Sequence, residues 1–284
     1  MPETVTEFGF MHVLRVALLI LSVLGVGGVA IAHFLVSRPI EAGSAPIAAP
    51  AELDARQASP EEIAAARQKI VEVLAATPEY AQVVDRLSML FPADYEAFLM
   101  AASRRSSATG EVPSADVLVF EAARTLRASR GILAAKAGAA ALDHVFELQR
   151  ALLRALALED PRLCVDFLYG GADEGFFRFS AQNRALVARF ALAGLAAITD
   201  GQAERIDREA PTRGDLEALE DGLRAKGLEP DEIDAILDGK MADPPIEDER
   251  LCRAGRIYLD VLAGLPEPER MRLYGFALEL MARS

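Results

Sequence analysis

The sequence predicts an all-α protein with a single N-terminal transmembrane helix, a Pro/Ala-rich linker and a soluble domain of roughly nine to ten helices. Three observations lead there. Ala, Leu, Arg and Glu, all strong helix formers, dominate the chain beyond residue 59. Apolar residues recur there at three and four, while the alternation that marks a strand is lacking. Helix start and stop signals follow one another to the C-terminal end.

Residues 1–15 form a short tail, and the run from Val16 to Val36 carries no Asp, Glu, Lys or Arg, with only His33 ionisable. At 1.5 Å per residue that length crosses the roughly 30 Å hydrocarbon core of a bilayer, where a helix satisfies its own backbone. A cleaved signal peptide would show a shorter apolar region, about 7–15 residues, before a small-x-small site. The best such site, Gly43-Ser44-Ala45, runs into Pro46. The spacing Gly28 to Ala32 also suits close approach of two membrane helices, although a simple Gly/Ala-rich span explains it equally. The flanking charges nearly balance, with Arg15 on one side and Arg38 on the other, so the short tail decides the orientation. It places the N-terminus inside and the domain in the periplasm, anchored in the inner (cytoplasmic) membrane. A cytoplasm-facing sensor or adaptor is the alternative. Residues 37–58, with Pro39, Pro46 and Pro50 among small residues, read as a semi-extended tether.

From residue 59 to 284 the elements follow in order. Ser59-Pro60-Glu61-Glu62 is a capped helix start, and the run behind it sets Ile63, Ile70 and Leu74 on one side. Tyr80, Val83, Val84, Leu87 and Phe91 continue as an amphipathic face, and Pro92 opens a helix to about Ser106. Residues 107–113 read as a loop. Ser114 caps a helix to Arg130, with Gly131 as its stop. Residues 132–158 read as one long helix with a Val145, Leu148, Leu152, Leu156 stripe. Asp160-Pro161 starts a short helix that ends at Tyr169-Gly170-Gly171, and Ser180 caps another to about Ile198. Thr212-x-x-Asp215 begins a helix ending at Gly227, and Pro230 begins one ending at Gly239. In this hairpin Leu216, Leu219 and Leu223 are set to face Ile233, Ile236 and Leu237. Helices at about 246–263 and 266–283, broken at Gly264-Leu265-Pro266, complete the domain.

The net charge of −13 is unevenly placed. Residues 204–249 carry 16 acids against 6 bases, while residues 104–154 carry 8 bases against 5 acids. So acidic a chain excludes non-specific nucleic-acid binding, which needs Lys and Arg against phosphate. Arg124, Arg127 and Arg130 recur every third residue, either as a solvated helix face or as a docking strip for an acidic surface, the 204–249 hairpin of the same or a neighbouring chain included. The stretch Tyr169–Phe179 is the most unusual: three glycines with Asp173, Glu174, Phe176, Phe177 and Arg178 suit a ligand- or partner-binding loop, or a connection whose phenylalanines plug the core.

Cys164 and Cys252 both fall at apolar helical positions. Two readings fit them: buried free thiols, or a disulfide in an oxidising compartment if their Cα atoms approach within about 7 Å. Neither a CxxC nor a Cys/His cluster occurs, and no GxSxG, SxxK, HExxH or GxxxxGK[ST] pattern is present. His144, the one histidine of the domain, sits beside an apolar stripe and reads as a packed or capped structural residue. No catalytic residue, cofactor or metal is therefore assigned. The expected function is that of a membrane-anchored interaction or scaffold protein, non-enzymatic, with the bilayer, an unidentified protein or a second copy as partner. The alternative is a carboxylate-dependent envelope enzyme acting on glycan, which needs two facing acids roughly 5–10 Å apart in a cleft.

Overall fold

The computed structural model describes residues 58–240 and 242–283, and the expected tail, the expected 16–36 anchor and most of the expected linker lie outside them. The described residues are all-helical, with twelve helices and no strand. In order they are α1 (Pro60–Ala75), α2 (Pro78–Leu90), α3 (Pro92–Thr109), α4 (Ala115–Ala134), α5 (Ala139–Glu159) and α6 (Pro161–Leu168). There follow α7 (Glu174–Gln182), α8 (Arg184–Glu204), α9 (Arg213–Ala225), α10 (Pro230–Asp238), α11 (Asp248–Gly264) and α12 (Glu267–Arg283). None of these helices is long and apolar enough to cross a membrane.

Local chemistry accounts for most of the boundaries. Ser59 Oγ accepts from the Glu62 N–H while Glu62 answers at the Ser59 N–H, a reciprocal cap. Thr212 and Asp215 repeat the device at the start of α9. Pro occupies the first turn of α1, α2, α3, α6 and α10, where its missing N–H costs nothing. Gly227 and Gly239 follow α9 and α10 with φ of 79° and 62°, the left-handed geometry that ends a helix.

α4 and α8 are the axis of the fold. They run side by side in the same direction, since Arg184 at the start of α8 holds Asp116 at the start of α4, and Gly201 near the end of α8 meets Leu133 near the end of α4. α2, α5 and α7 pack on α8, and α3 and α12 pack on α4. α6, α9 and α10 gather round α11. The core includes Ile70, Tyr80, Leu99, Leu118, Leu142, Leu152, Leu156, Leu219, Leu223 and Tyr274, each buried. Phe146 of α5 stacks on Tyr274 of α12 with ring centroids 3.7 Å apart.

Several boundaries differ from the sequence reading, and the helix at Glu174–Gln182 is an element it did not contain. Gly131 does not stop α4, which continues to Ala134; a Cβ there would lie 2.9 Å from the Cβ of Ala282, so the glycine serves the α4–α12 crossing. The expected 132–158 helix is broken at residues 135–138, between α4 and α5. Arg208 fastens that turn by donating to the Ala135 carbonyl at 2.8 Å and to the Ala137 carbonyl. α3 runs to Thr109 rather than Ser106, and Gly110 ends it at φ 76°. Ser180 does not cap a helix: it lies inside α7, which Asp173 caps, and the chain breaks instead at Asn183. His144 is exposed rather than packed, its Nδ1 lying 3.7 Å from a Glu147 oxygen.

Cys164 of α6 and Cys252 of α11 form a disulfide, with Cα atoms 5.6 Å apart and a sequence separation of 88. Beside it, the Leu168 side chain lies against Gly255 so closely that an added Cβ would collide with it.

Candidate functional site

Between α4 and α8 the packing leaves an apolar cleft of about 220 Å³. Val119 and Leu126 of α4, Phe176 of α7, Phe190 and Leu195 of α8 and Leu278 of α12 line it. It follows α4 from Asp116 to Ala134, roughly 27 Å at 1.5 Å per residue, so it is long and narrow. Small residues open it: Ala122 and Ala123 on α4, Ala191 and Gly194 on α8. Gly131 and Gly201 are pressed against neighbouring helices, but a Cβ placed on Gly194 would meet nothing within 4 Å.

Five polar side chains line this cleft, Gln149 of α5 among them, and four of them have contrasting circumstances. Asp116 is 4% exposed and fully engaged. Its Oδ1 accepts from the Tyr80 hydroxyl at 2.8 Å, and Arg184 donates from Nε at 3.2 Å and from Nη2 at 3.1 Å. Burial and the adjoining Asp116 carboxylate push the Tyr80 hydroxyl well above its usual range, which keeps it a neutral donor. Ser180 is 1% exposed, and its Oγ has no hydrogen-bond partner among the described residues. Arg124, exposed at the rim and acting on the Glu121 charge, and the half-buried Arg127 also line the cleft, and neither makes a hydrogen bond or ion pair among the described residues. Burial, helped by the neighbouring Arg124 charge, pulls the Arg127 guanidinium down to about 9.

The residues singled out in the sequence divide between this cleft and its surroundings. Arg124 and Arg127 line it, whereas Arg130 pairs with Asp94 at 3.2 Å. The Tyr169–Phe179 stretch is mostly helical: Asp173 Oδ1 accepts from the Phe176 N–H at 2.9 Å and starts α7. Glu174 and Arg178 pair with each other at 2.8 Å on its exposed side. Phe176 is buried and lines the cleft, stacking on Phe167 at 5.8 Å, while Phe177 is half-buried and meets Phe120 edge-on at 5.6 Å.

The arginine strip does not receive the acidic hairpin of its own chain. Asp215 is held by Arg272 of α12, with Nη2–Oδ1 2.6 Å and Nε–Oδ2 2.8 Å. Glu232, fully buried, accepts from Arg250 at 3.3 Å and from Arg253 at 3.1 Å on α11. The basic 104–154 stretch reaches the acidic segment through Lys136, whose Nζ lies 2.5 Å from an Asp207 oxygen. The hydrogen bonds to Arg272 and Thr212 bring the Asp215 carboxyl down to about 2.

Sequence reasoning missed Ser180, Gly194 and the cleft itself. Its lining comes from helices distant in the chain, and small residues inside helices give no local sign of a void. Among the described residues no group of three His, Cys, Asp or Glu is placed to hold a metal ion. Comparison with models of protein families, with curated proteins and with solved structures finds no match.

Proposed function

We propose that this chain is a membrane-anchored binding protein without catalytic activity, whose helical domain works in an oxidising compartment and receives its partner at the α4–α8 cleft. The observation that carries the reading is the pairing of an apolar cleft with two arginines that make no hydrogen bond or ion pair among the described residues. Such a combination holds an anionic amphiphilic group by area and by charge. The apolar 16–36 segment supports attachment to the inner membrane. The Cys164–Cys252 disulfide supports the periplasmic side over the cytoplasmic one, since structural disulfides persist where thiols are not kept reduced.

The envelope-enzyme alternative asks for two acids facing each other in a cleft. Asp116 is the one carboxylate among the residues lining this one, and Arg184 and Tyr80 occupy it. That favours binding over acid–base chemistry.

Two measurements test the proposal. A C-terminal alkaline phosphatase fusion should be active, because that enzyme matures only outside the cytoplasm; an inactive phosphatase beside an active cytoplasmic reporter would reject the location. A photoreactive residue at position 123, on the cleft rim, should give crosslinked species in cells that Arg124→Glu with Arg127→Glu removes. Identical crosslinks in the charge-reversed protein would reject the binding face.

A further inference from the structure

The geometry points to a single acyl chain ending in a carboxylate as the guest of the α4–α8 cleft, its tail lying along α4 and α8 and its head meeting Arg124 and Arg127. The assignment rests on the binding-face reading above and adds the chemistry of the ligand.

Shape narrows the choice first. A helix is about 10–12 Å across with its side chains, too wide for a space of about 220 Å³ drawn out along α4. A cavity of about 150 Å³ with such a lining already admits benzene, so this one accepts a longer, thin apolar group. An extended hydrocarbon chain has that form.

Charge narrows it further. Arg124 and Arg127 place two cations on the cleft without a hydrogen bond or ion pair among the described residues, and Asp116, the one carboxylate of the lining, is already held by Arg184 and Tyr80, so the charge open to a guest is positive. A carboxylate supplies two acceptor oxygens and a charge that matches the guanidinium fork. It would also relieve Arg127, whose cationic form is disfavoured by burial beside Arg124.

Gly194 is a separate indication. A helical glycine costs stability relative to alanine and is ordinarily justified by a close approach or a special φ. Here neither applies, because the space beyond its Cα is open. The glycine keeps room in the cleft.

The test uses the full chain in membranes with a dodecanoate that carries a diazirine on its tail. Irradiation should place adducts on α4 and α8, with excess unlabelled dodecanoate competing at least 10-fold better than dodecanol. Gly194→Leu, which fills the cleft from an open position, should cut adduct yield at least 10-fold while its thermal unfolding temperature stays equal or rises. Arg124→Gln with Arg127→Gln should erase the preference for the acid over the alcohol. Lengthening the chain within the cleft should tighten binding about 4-fold per methylene.

Adducts absent from the cleft helices, or unchanged by Gly194→Leu, overturn the assignment, and adducts confined to the chain's own first 57 residues do the same. Equal competition by dodecanol overturns the carboxylate. If these fail while the Arg-dependent crosslinks in cells persist, the binding face stands and the ligand chemistry falls; loss of both removes both.

Discussion

Asp215 shows how one buried acid ties an exposed acidic hairpin to the core. It is 3% exposed, caps α9 through Thr212 and takes two hydrogen bonds from Arg272. Its folded-state pKa is lowered from 3.8 to about 2, so its contribution is full above the ordinary value. It is lost as pH falls through that interval, and it amounts to about 2 kcal/mol. Urea unfolding between pH 5 and pH 2 should show this loss, and Asp215→Asn should be less stable at pH 5 with a flatter acid limb. An unchanged acid limb in the variant would contradict the assignment. Two glycines of α8 give an opposed pair at the same scale. Gly194→Ala should stabilise the domain by about 0.5–1 kcal/mol, because the new methyl enters open space and the unfolded chain loses freedom. Gly201→Ala should destabilise it by about 2 kcal/mol or more, since its Cβ would lie 1.8 Å from the Leu133 carbonyl oxygen. Equilibrium denaturation of both variants checks the contrast in sign.

At the scale of elements, the caps and breakers were legible in the chain and several partnerships were not. Ser59, Ser114, Asp160 and Thr212 mark helix starts through bonds made within a few residues, and Pro230 marks one by its fixed φ in the first turn. Gly131 carries the same local signal as a helix stop, yet the approach of α12 explains it. α7 was hidden because three glycines around Asp173 resemble a loop, whereas the Asp173 cap and the phenylalanine packing make a helix. The disulfide is the strongest tie between elements, joining α6 to α11 across 88 residues. In the chain-entropy account a loop of that size contributes up to about 4.6 kcal/mol. Reduction, or Cys164→Ala with Cys252→Ala, should lower the urea midpoint accordingly, and a change under about 1 kcal/mol would show the link to be dispensable. Asp116 performs a similar office without a covalent bond, joining α2, α4 and α8 through Tyr80 and Arg184. Asp116→Ala leaves both partners unsatisfied and should cost about 3 kcal/mol in the same assay.

For the whole molecule, the charge asymmetry seen along the chain becomes a division between anchored and free acids. Asp215 and Glu232 are buried and paired, whereas Glu217 and Asp221 are exposed and make ion pairs with Arg213 and Arg224 on their own helix. Deleting residues 204–249 would also remove Leu219, Leu223, Ile233 and Leu237 from the core around α11. Such a deletion should therefore abolish soluble expression, and it does not isolate the role of charge. Glu217→Gln with Asp221→Gln should leave stability within about 0.5 kcal/mol, as exposed pairs of this kind contribute little. Thermal unfolding distinguishes the two cases.

The sequence by itself determined the helical class, most helix starts, the stripes that became the core and the separation of acidic from basic stretches. Each of these follows from periodicity or from hydrogen bonds between near neighbours. The pairing of Cys164 with Cys252, the attachment of the acidic hairpin to Arg253 and Arg272, and the α4–α8 cleft were decided only by tertiary structure. They depend on which helices meet, and a void opens where small residues from distant parts of the chain face each other without filling the space. Ala122, Ala191 and Gly194 look like ordinary helix content until α4 and α8 are set side by side.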